Sequence, residues 1–180
     1  MSAPRIYLIT GLMASGKTTV AQALAERFPQ SVHLKGDAFR RMIVHGQARM
    51  SFDLSEAAAS QLELRYDLAA ESAKRYFAAG FTVVYQDIIL GAALERVAAK
   101  FDGLPLSVVV LCPDKGTVAS REAQRGKSGY RNDAEIAAFD RVLREETPKI
   151  GLWLDSTALT VKETVDKILE GTGPRQDRER

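Results

Sequence analysis

The chain has 180 residues and a mass of 19.7 kDa, which is the usual size of a single domain. Its residues are 46% hydrophobic and 27% charged, an ordinary globular composition that excludes wholesale disorder. A net charge of +2 argues against a dedicated nucleic-acid binder, and a single cysteine with two histidines excludes a disulfide framework and a multi-cysteine or His-rich metal centre.

Short β-branched runs alternate with longer amphipathic stretches along the chain. Strands are expected at residues 5–10, 31–35, 81–86, 107–111 and 151–154. Helices are expected at residues 16–28, 38–44, 56–79, 94–100, 117–125, 133–146 and 160–170, with a capping box of Thr160 and Glu163 opening the last. This alternation predicts an α/β fold, a doubly wound parallel sheet with helices on both faces. Residues 1–170 are expected to form one domain and residues 171–180 a disordered tail.

The stretch Gly11–Thr18 reads GLMASGKT and fits the phosphate-loop (Walker A) pattern G-x-x-x-x-G-K-[ST] at every fixed position. It lies between the first predicted strand and the first predicted helix, as the pattern requires. Backbone N–H groups of such a loop surround phosphates, and the helix N-terminus adds its positive dipole end. Lys17 is expected to reach the β- and γ-phosphates, and Thr18 to give its hydroxyl to Mg²⁺.

Further polar residues follow the strands, at the edge of a parallel sheet where ligands bind. Asp37 follows the second strand and is the candidate base for an acceptor hydroxyl, with Arg40 and Arg41 beside it as substrate-binding residues. Asp87 ends the third strand and is a candidate for the Mg²⁺ shell and for substrate binding. For both aspartates the alternative interpretation is a helix N-cap.

A basic segment follows the fourth strand. Arg121 and Arg125 are four residues apart and share a helix face, where one would lie on adenine and the other would neutralise transferring phosphate charge. The segment Gly116–Asp133 also holds Lys127 and Arg131 and is expected to be a lid that closes on a triphosphate. The alternative is a fixed helical pair with solvated arginines.

These motifs resemble the small P-loop kinases of the nucleoside-monophosphate-kinase-like group, and within it chloramphenicol phosphotransferase and its AAA-type relatives. The resemblance runs from Ile6 to about Leu169. Besides the phosphate loop and Asp37, it is carried by VVYQDIILGAA, CPDKGTVASREAQRG and LWLDST, which begin at residues 83, 112 and 152. It implies a five-stranded parallel sheet of order 2-3-1-4-5 with a short lid.

The resemblance also implies roles for individual residues. Lys17, Asp37 and Arg125 would be catalytic, with Arg125 in the lid. The expected binding residues for ATP, with Mg²⁺ as its partner ion, are Gly11, Leu12, Met13, Ala14, Ser15, Gly16, Lys17, Thr18, Thr19, Arg121, Arg125, Asp155 and Thr157. The acceptor region at residues 40–53 departs from what a neutral, apolar antibiotic needs, because it carries four basic side chains, those of Arg40, Arg41, His45 and Arg49. A polar or anionic acceptor is therefore given equal weight.

The sequence thus predicts an ATP-dependent phosphotransferase that moves the γ-phosphoryl group to a hydroxyl of a small molecule, an antibiotic or a metabolite. Two alternatives are a kinase of nucleic-acid 5′-hydroxyl ends, disfavoured by the near-neutral charge, and a nucleotide-dependent switch or binding protein. We expect no nucleic-acid or membrane partner, and a monomer or homodimer. No apolar run approaches the roughly 18 residues of a membrane span, and the first residues do not resemble a signal peptide, so a cytoplasmic protein is expected.

Overall fold

A computed structural model describes residues 3–124 and 133–173 of the chain. Five strands form one sheet: β1 (Ile6–Gly11), β2 (Ser31–Lys35), β3 (Thr82–Gln86), β4 (Leu106–Leu111) and β5 (Leu152–Leu154). The described helices are α1 (Lys17–Ala25), α2 (Asp37–Arg41), α3 (Glu56–Ala78), α4 (Ala93–Ala99), α5 (Lys115–Gln124), α6 (Asp133–Arg141) and α7 (Val161–Thr172). All strand pairs are parallel and their order is β2-β3-β1-β4-β5, so the predicted fold and sheet order are confirmed.

Two hydrophobic cores cover the two faces of the sheet. Because side chains alternate along a strand, Ile6 and Leu8 of β1 face one core, while Tyr7 and Ile9 face the other. The first core includes buried side chains of α3 and α4, and the second includes those of α1 and α7. Each fully buried large aliphatic side chain contributes on the order of 1.5–3 kcal/mol to folding. The sheet is therefore a rigid frame for the loops at its edge.

Several helix ends differ from the sequence expectation. Helix α1 ends at Ala25 rather than near residue 28, because the N–H groups of Arg27 and Phe28 bond three residues back and tighten the last turn. The stretch expected to be one helix over residues 133–146 is α6 followed by a π-helical turn, Val142–Glu146. The buried hydroxyl of Thr147 donates to the Val142 carbonyl and closes that turn at 2.9 Å.

The last helix carries the predicted capping box. Thr160 accepts from the N–H of Glu163, and the Glu163 carboxylate accepts from the N–H of Thr160, as predicted. Helix α7 continues to Thr172, two residues beyond its expected end, and residues 174–180 of the expected tail lie outside the described part of the chain. None of the described helices is long and apolar enough to span a membrane.

Candidate functional site

The loop between β1 and α1 has the backbone of a phosphate cradle. Gly11, Ala14 and Gly16 have φ angles of +146°, +59° and +92°, so the chain turns repeatedly in the left-handed region. A side chain at Gly11 would clash with the carbonyl of Leu111 in the neighbouring strand β4, so this position needs glycine for close approach as well as for its φ. The first turn of α1 follows at once, which places its N–H groups at the loop.

Lys17 and Thr18 stand where this helix begins. Lys17 is 7% exposed, and its ammonium donates to the Leu12 carbonyl at 2.5 Å, so it lies folded over its own loop. The side chains of Thr18 and Thr19 are exposed. The Thr18 hydroxyl is therefore accessible at the N-terminal turn, which fits the predicted magnesium ligand.

Helix α5 brings Arg121 to the phosphate loop, and its role in nucleotide binding stays a prediction. Its guanidinium donates to the Ser15 carbonyl at 3.5 Å and lies 3.8 Å from where a Cβ on Gly16 would stand. A small apolar cluster holds this arrangement, in which Val118 of α5 and Ile136 of α6 pack with Met13 and Ala14 of the loop. Arg125, Lys127 and Arg131, predicted for the lid, lie outside the described residues.

Asp155 and Thr157 form a turn after β5. The Asp155 carboxylate accepts from the Thr157 hydroxyl at 2.6 Å and from the Thr157 N–H at 2.9 Å. These two hydrogen bonds lower the pKa of Asp155. The Thr157 hydroxyl also accepts from the N–H of Asp114, just before α5, at 2.8 Å. The loops after β4 and β5 are thus tied together on the side of the sheet that carries Arg121.

Asp37 is the first residue of α2, directly after β2. Gly36 is the N-cap of this helix and Asp37 makes no capping hydrogen bond, so the N-cap alternative for Asp37 is not what the structure shows. One carboxylate oxygen pairs with Arg41, and the side chain is 47% exposed. Arg40 donates to the Ala48 carbonyl at 2.9 Å and holds the loop that follows α2.

Asp87 occupies the end of β3 and is bound by a residue that the sequence patterns did not point to. Arg65 of α3 donates to both carboxylate oxygens, its Nε at 2.9 Å from Oδ2. The Asp87 carboxylate also accepts from the Tyr85 hydroxyl at 3.3 Å and from the N–H of Ile88 at 2.7 Å. The structure therefore gives Asp87 a buried arginine partner, and its predicted roles in magnesium and substrate binding stay predictions.

A second arginine outside the predicted set lies beside the end of β4. Arg144, in the π-helical turn, donates to the Pro113 carbonyl at 2.9 Å and to Asp140 at 2.9 Å. Asp140 is 1% exposed and fixes this arginine against the end of β4. The spacing of four residues between Asp140 and Arg144 is the sequence signal for the pair.

Comparison with protein families shows which family the chain belongs to. A family model described as an AAA domain matches residues 6–148. The chain belongs to this AAA domain family. No curated protein matches the chain significantly.

Solved structures share the fold of this AAA domain protein. The tunicamycin resistance protein of Deinococcus radiodurans is 18% identical over 94% of this chain and 96% of its own, with a TM-score of 0.73. A gluconokinase from Sinorhizobium meliloti 1021 is 19% identical, with coverages of 96% and 93% and a TM-score of 0.68. A chain of the Pnkp1/Rnl/Hen1 RNA repair complex is 17% identical, with coverages of 89% and 52% and a TM-score of 0.63. The resemblance to P-loop kinases is confirmed for the fold, which a resistance protein, a gluconokinase and an RNA repair complex share.

Proposed function

We propose that the protein is an ATP-dependent phosphotransferase that moves the γ-phosphoryl group to a hydroxyl of a small molecule. The observation that carries the proposal is the phosphate loop with two cationic side chains on it: Lys17 folded over the loop and Arg121 reaching the Ser15 carbonyl from α5. A triphosphate bound there would receive backbone N–H groups and both charges, which is the arrangement that phosphoryl transfer needs.

The acceptor would bind at the end of β2, where Asp37 stands. In the reaction, the acceptor oxygen forms a bond to the γ-phosphorus, the bond from that phosphorus to the β–γ bridging oxygen breaks, and ADP leaves. The hydroxyl proton passes to the Asp37 carboxylate. Asp37 is half exposed and follows the sheet edge directly, which suits a group that must reach a substrate.

Magnesium, when bound with the nucleotide, would neutralise charge on the β- and γ-phosphates, and the exposed Thr18 hydroxyl is the residue that we assign to it. Lys17 and Arg121 would hold the phosphates in line with the acceptor, so the protein contributes position and electrostatics. Asp155 and Thr157, tied to the start of α5 through Asp114, are proposed to line the far end of the nucleotide site.

A screen for acceptor-dependent ADP release tests this proposal. The panel should contain sugars, polyols, sugar acids, aminoglycoside and nucleoside antibiotics, and a short RNA with a 5′-hydroxyl. We expect ADP release to rise at least tenfold with one small-molecule acceptor and to be lost in Lys17→Ala. Preference for the RNA would establish the nucleic-acid kinase instead, and slow ADP release that no acceptor changes would indicate a nucleotide-dependent switch.

A further inference from the structure

Arg65 and Asp87 form a buried ion pair at the sheet edge. The Arg65 and Asp87 side chains are 10% and 2% exposed, and the pair is bidentate, with Nε and one terminal nitrogen of Arg65 on the two carboxylate oxygens. The Tyr85 hydroxyl and the Ile88 N–H complete the hydrogen bonds to Asp87. An arginine held in this way brings no net charge to its surroundings.

This pair lies directly beside the acceptor end of β2. The Asp87 carboxylate packs so closely on Gly36 that a Cβ there would clash with it, and Gly36 is the residue before Asp37. Burial lowers the pKa of Arg65, whereas Tyr66, Tyr85 and the Asp37 carboxylate raise it and the Arg40 charge lowers it. The net charge of the Arg65–Asp87 pair would therefore contribute to the electrostatic potential at any acceptor bound beside Asp37.

Arg40 and Arg41, which follow Asp37 in α2, also have acceptors within the chain. Arg41 pairs with Asp37, and Arg40 donates to the Ala48 carbonyl. A guanidinium has five N–H donors, so these single bonds use only part of the donor capacity of Arg40 and Arg41. The Nε of Arg40 is buried without a hydrogen-bond partner. The charge of the acceptor site therefore depends strongly on the buried Arg65–Asp87 pair beside it.

We propose that Asp87 is a specificity-determining residue, which holds Arg65 as a neutral pair and so selects an uncharged, hydroxyl-bearing acceptor over a carboxylate or phosphate compound. This inference rests on the proposed function, because only a phosphotransferase has an acceptor. The charge of the Arg65–Asp87 pair can be tested without one. Replacing Asp87 with its neutral isostere Asn would leave the Arg65 guanidinium without a counter-ion and would create an anion site where the wild type has none.

The test measures binding of inorganic sulfate at constant ionic strength, in the presence of saturating Mg²⁺ and AMPPNP to occupy the phosphate loop. Calorimetry and the midpoint of thermal unfolding are the readouts. With AMPPNP filling the phosphate loop, we expect the wild type to show no saturable sulfate site. Asp87→Asn should gain one site, and sulfate should raise its unfolding midpoint by several degrees more than it raises that of the wild type.

Two matched variants separate the pair from a general change of charge. Asp53→Asn removes one negative charge from an exposed side chain of the loop after α2 and should gain no sulfate site. The double variant with Arg65→Gln and Asp87→Asn removes both charges and should also gain none. If Asp87→Asn does not fold, the wild type and the double variant still decide: a saturable sulfate site in the wild type that the double variant loses would overturn the proposal.

Other outcomes are equally decisive. A folded Asp87→Asn variant without a new sulfate site would overturn the inference, as would one that changed only the Mg²⁺ dependence of nucleotide binding, the result expected of a metal ligand. In the acceptor screen, an anionic acceptor used better than its uncharged counterpart, for example gluconate over sorbitol, would also contradict it. Failure of the proposed function is seen separately, as absence of AMPPNP binding or of any phosphoryl transfer, while the difference in sulfate sites between variants remains readable.

Discussion

The Lys17 ammonium lies 2.5 Å from the Leu12 carbonyl oxygen, inside the loop that both residues belong to. The lysine side chain is thus held over its own loop by a backbone carbonyl. Binding a triphosphate would exchange this carbonyl for phosphate oxygens, which are stronger acceptors for an ammonium group.

Lys17→Ala is therefore expected to raise the dissociation constant of ATP about 10- to 100-fold, because one or more charge-assisted hydrogen bonds of about 1.5–3 kcal/mol each are lost. Calorimetry with Mg²⁺ and ATP measures this. The control is Lys162→Ala, which removes an exposed lysine of α7 and should leave the affinity unchanged. Equal ATP affinity in wild type and Lys17→Ala would contradict the assignment of the loop.

Asp37→Asn is expected to lower turnover by about 10²- to 10⁴-fold, the scale for losing a general base. ATP affinity should stay within about twofold, since Asp37 is placed on the acceptor side. Steady-state kinetics with the acceptor found in the screen, together with ATP titration, separate the two effects. If the variant lost ATP binding in proportion to activity, Asp37 would be a structural residue of α2 and no base.

Hydrogen exchange tests the role of Arg121. Because Arg121 links α5 to the Ser15 carbonyl, a bound triphosphate should draw this helix closer to the loop. We expect the amides of α5 to exchange more slowly with AMPPNP and Mg²⁺ present, and Arg121→Ala to abolish that protection. Unchanged exchange in α5 while the phosphate loop becomes protected would leave α5 as static scaffold.

Gly36→Ala tests the packing of the Asp87 carboxylate on the end of β2. The φ angle of Gly36 is −60°, so backbone strain is absent and the cost is steric. We expect the free energy of unfolding to fall by about 1–3 kcal/mol in urea denaturation. Gly116→Ala is the control, because its Cβ would lie at a much looser 3.3 Å from an Asp114 carboxylate oxygen, which accepts from the Thr117 N–H. Since alanine also favours the helix, we expect the free energy of unfolding to change by less than about 1 kcal/mol.

Most of the fold follows from local sequence patterns. The strands are short runs rich in β-branched and aliphatic residues, although β2 (SVHLK) is partly polar, and the phosphate-loop motif fixes where β1 ends and α1 begins. The capping box at Thr160 is equally local, since both partners lie within three residues. Such features need no knowledge of the rest of the chain, which is why their positions agree with the structure to within a few residues.

The Arg65–Asp87 pair could not be predicted from local sequence patterns, because its members are 22 residues apart and meet only when α3 packs on the sheet. One signal was present: Arg65 falls on the same helix stripe as the buried residues Ala58, Ala69 and Ala73, where a charged side chain needs a buried partner. The partner itself depends on tertiary packing. The same holds for Arg121, whose approach to the phosphate loop depends on how α5 and α6 pack.

The fate of the γ-phosphoryl group of labelled ATP tests the central claim most directly. The protein is incubated with γ-labelled ATP, Mg²⁺ and the pooled acceptors, and the label is followed by chromatography and mass spectrometry. We predict that label appears in a phosphorylated hydroxyl compound, that ADP forms in equal amount, and that Lys17→Ala and Asp37→Asn both slow product formation by the factors given above. Label found only in inorganic phosphate, at a rate that no acceptor alters, would contradict the assignment of this protein as a phosphotransferase.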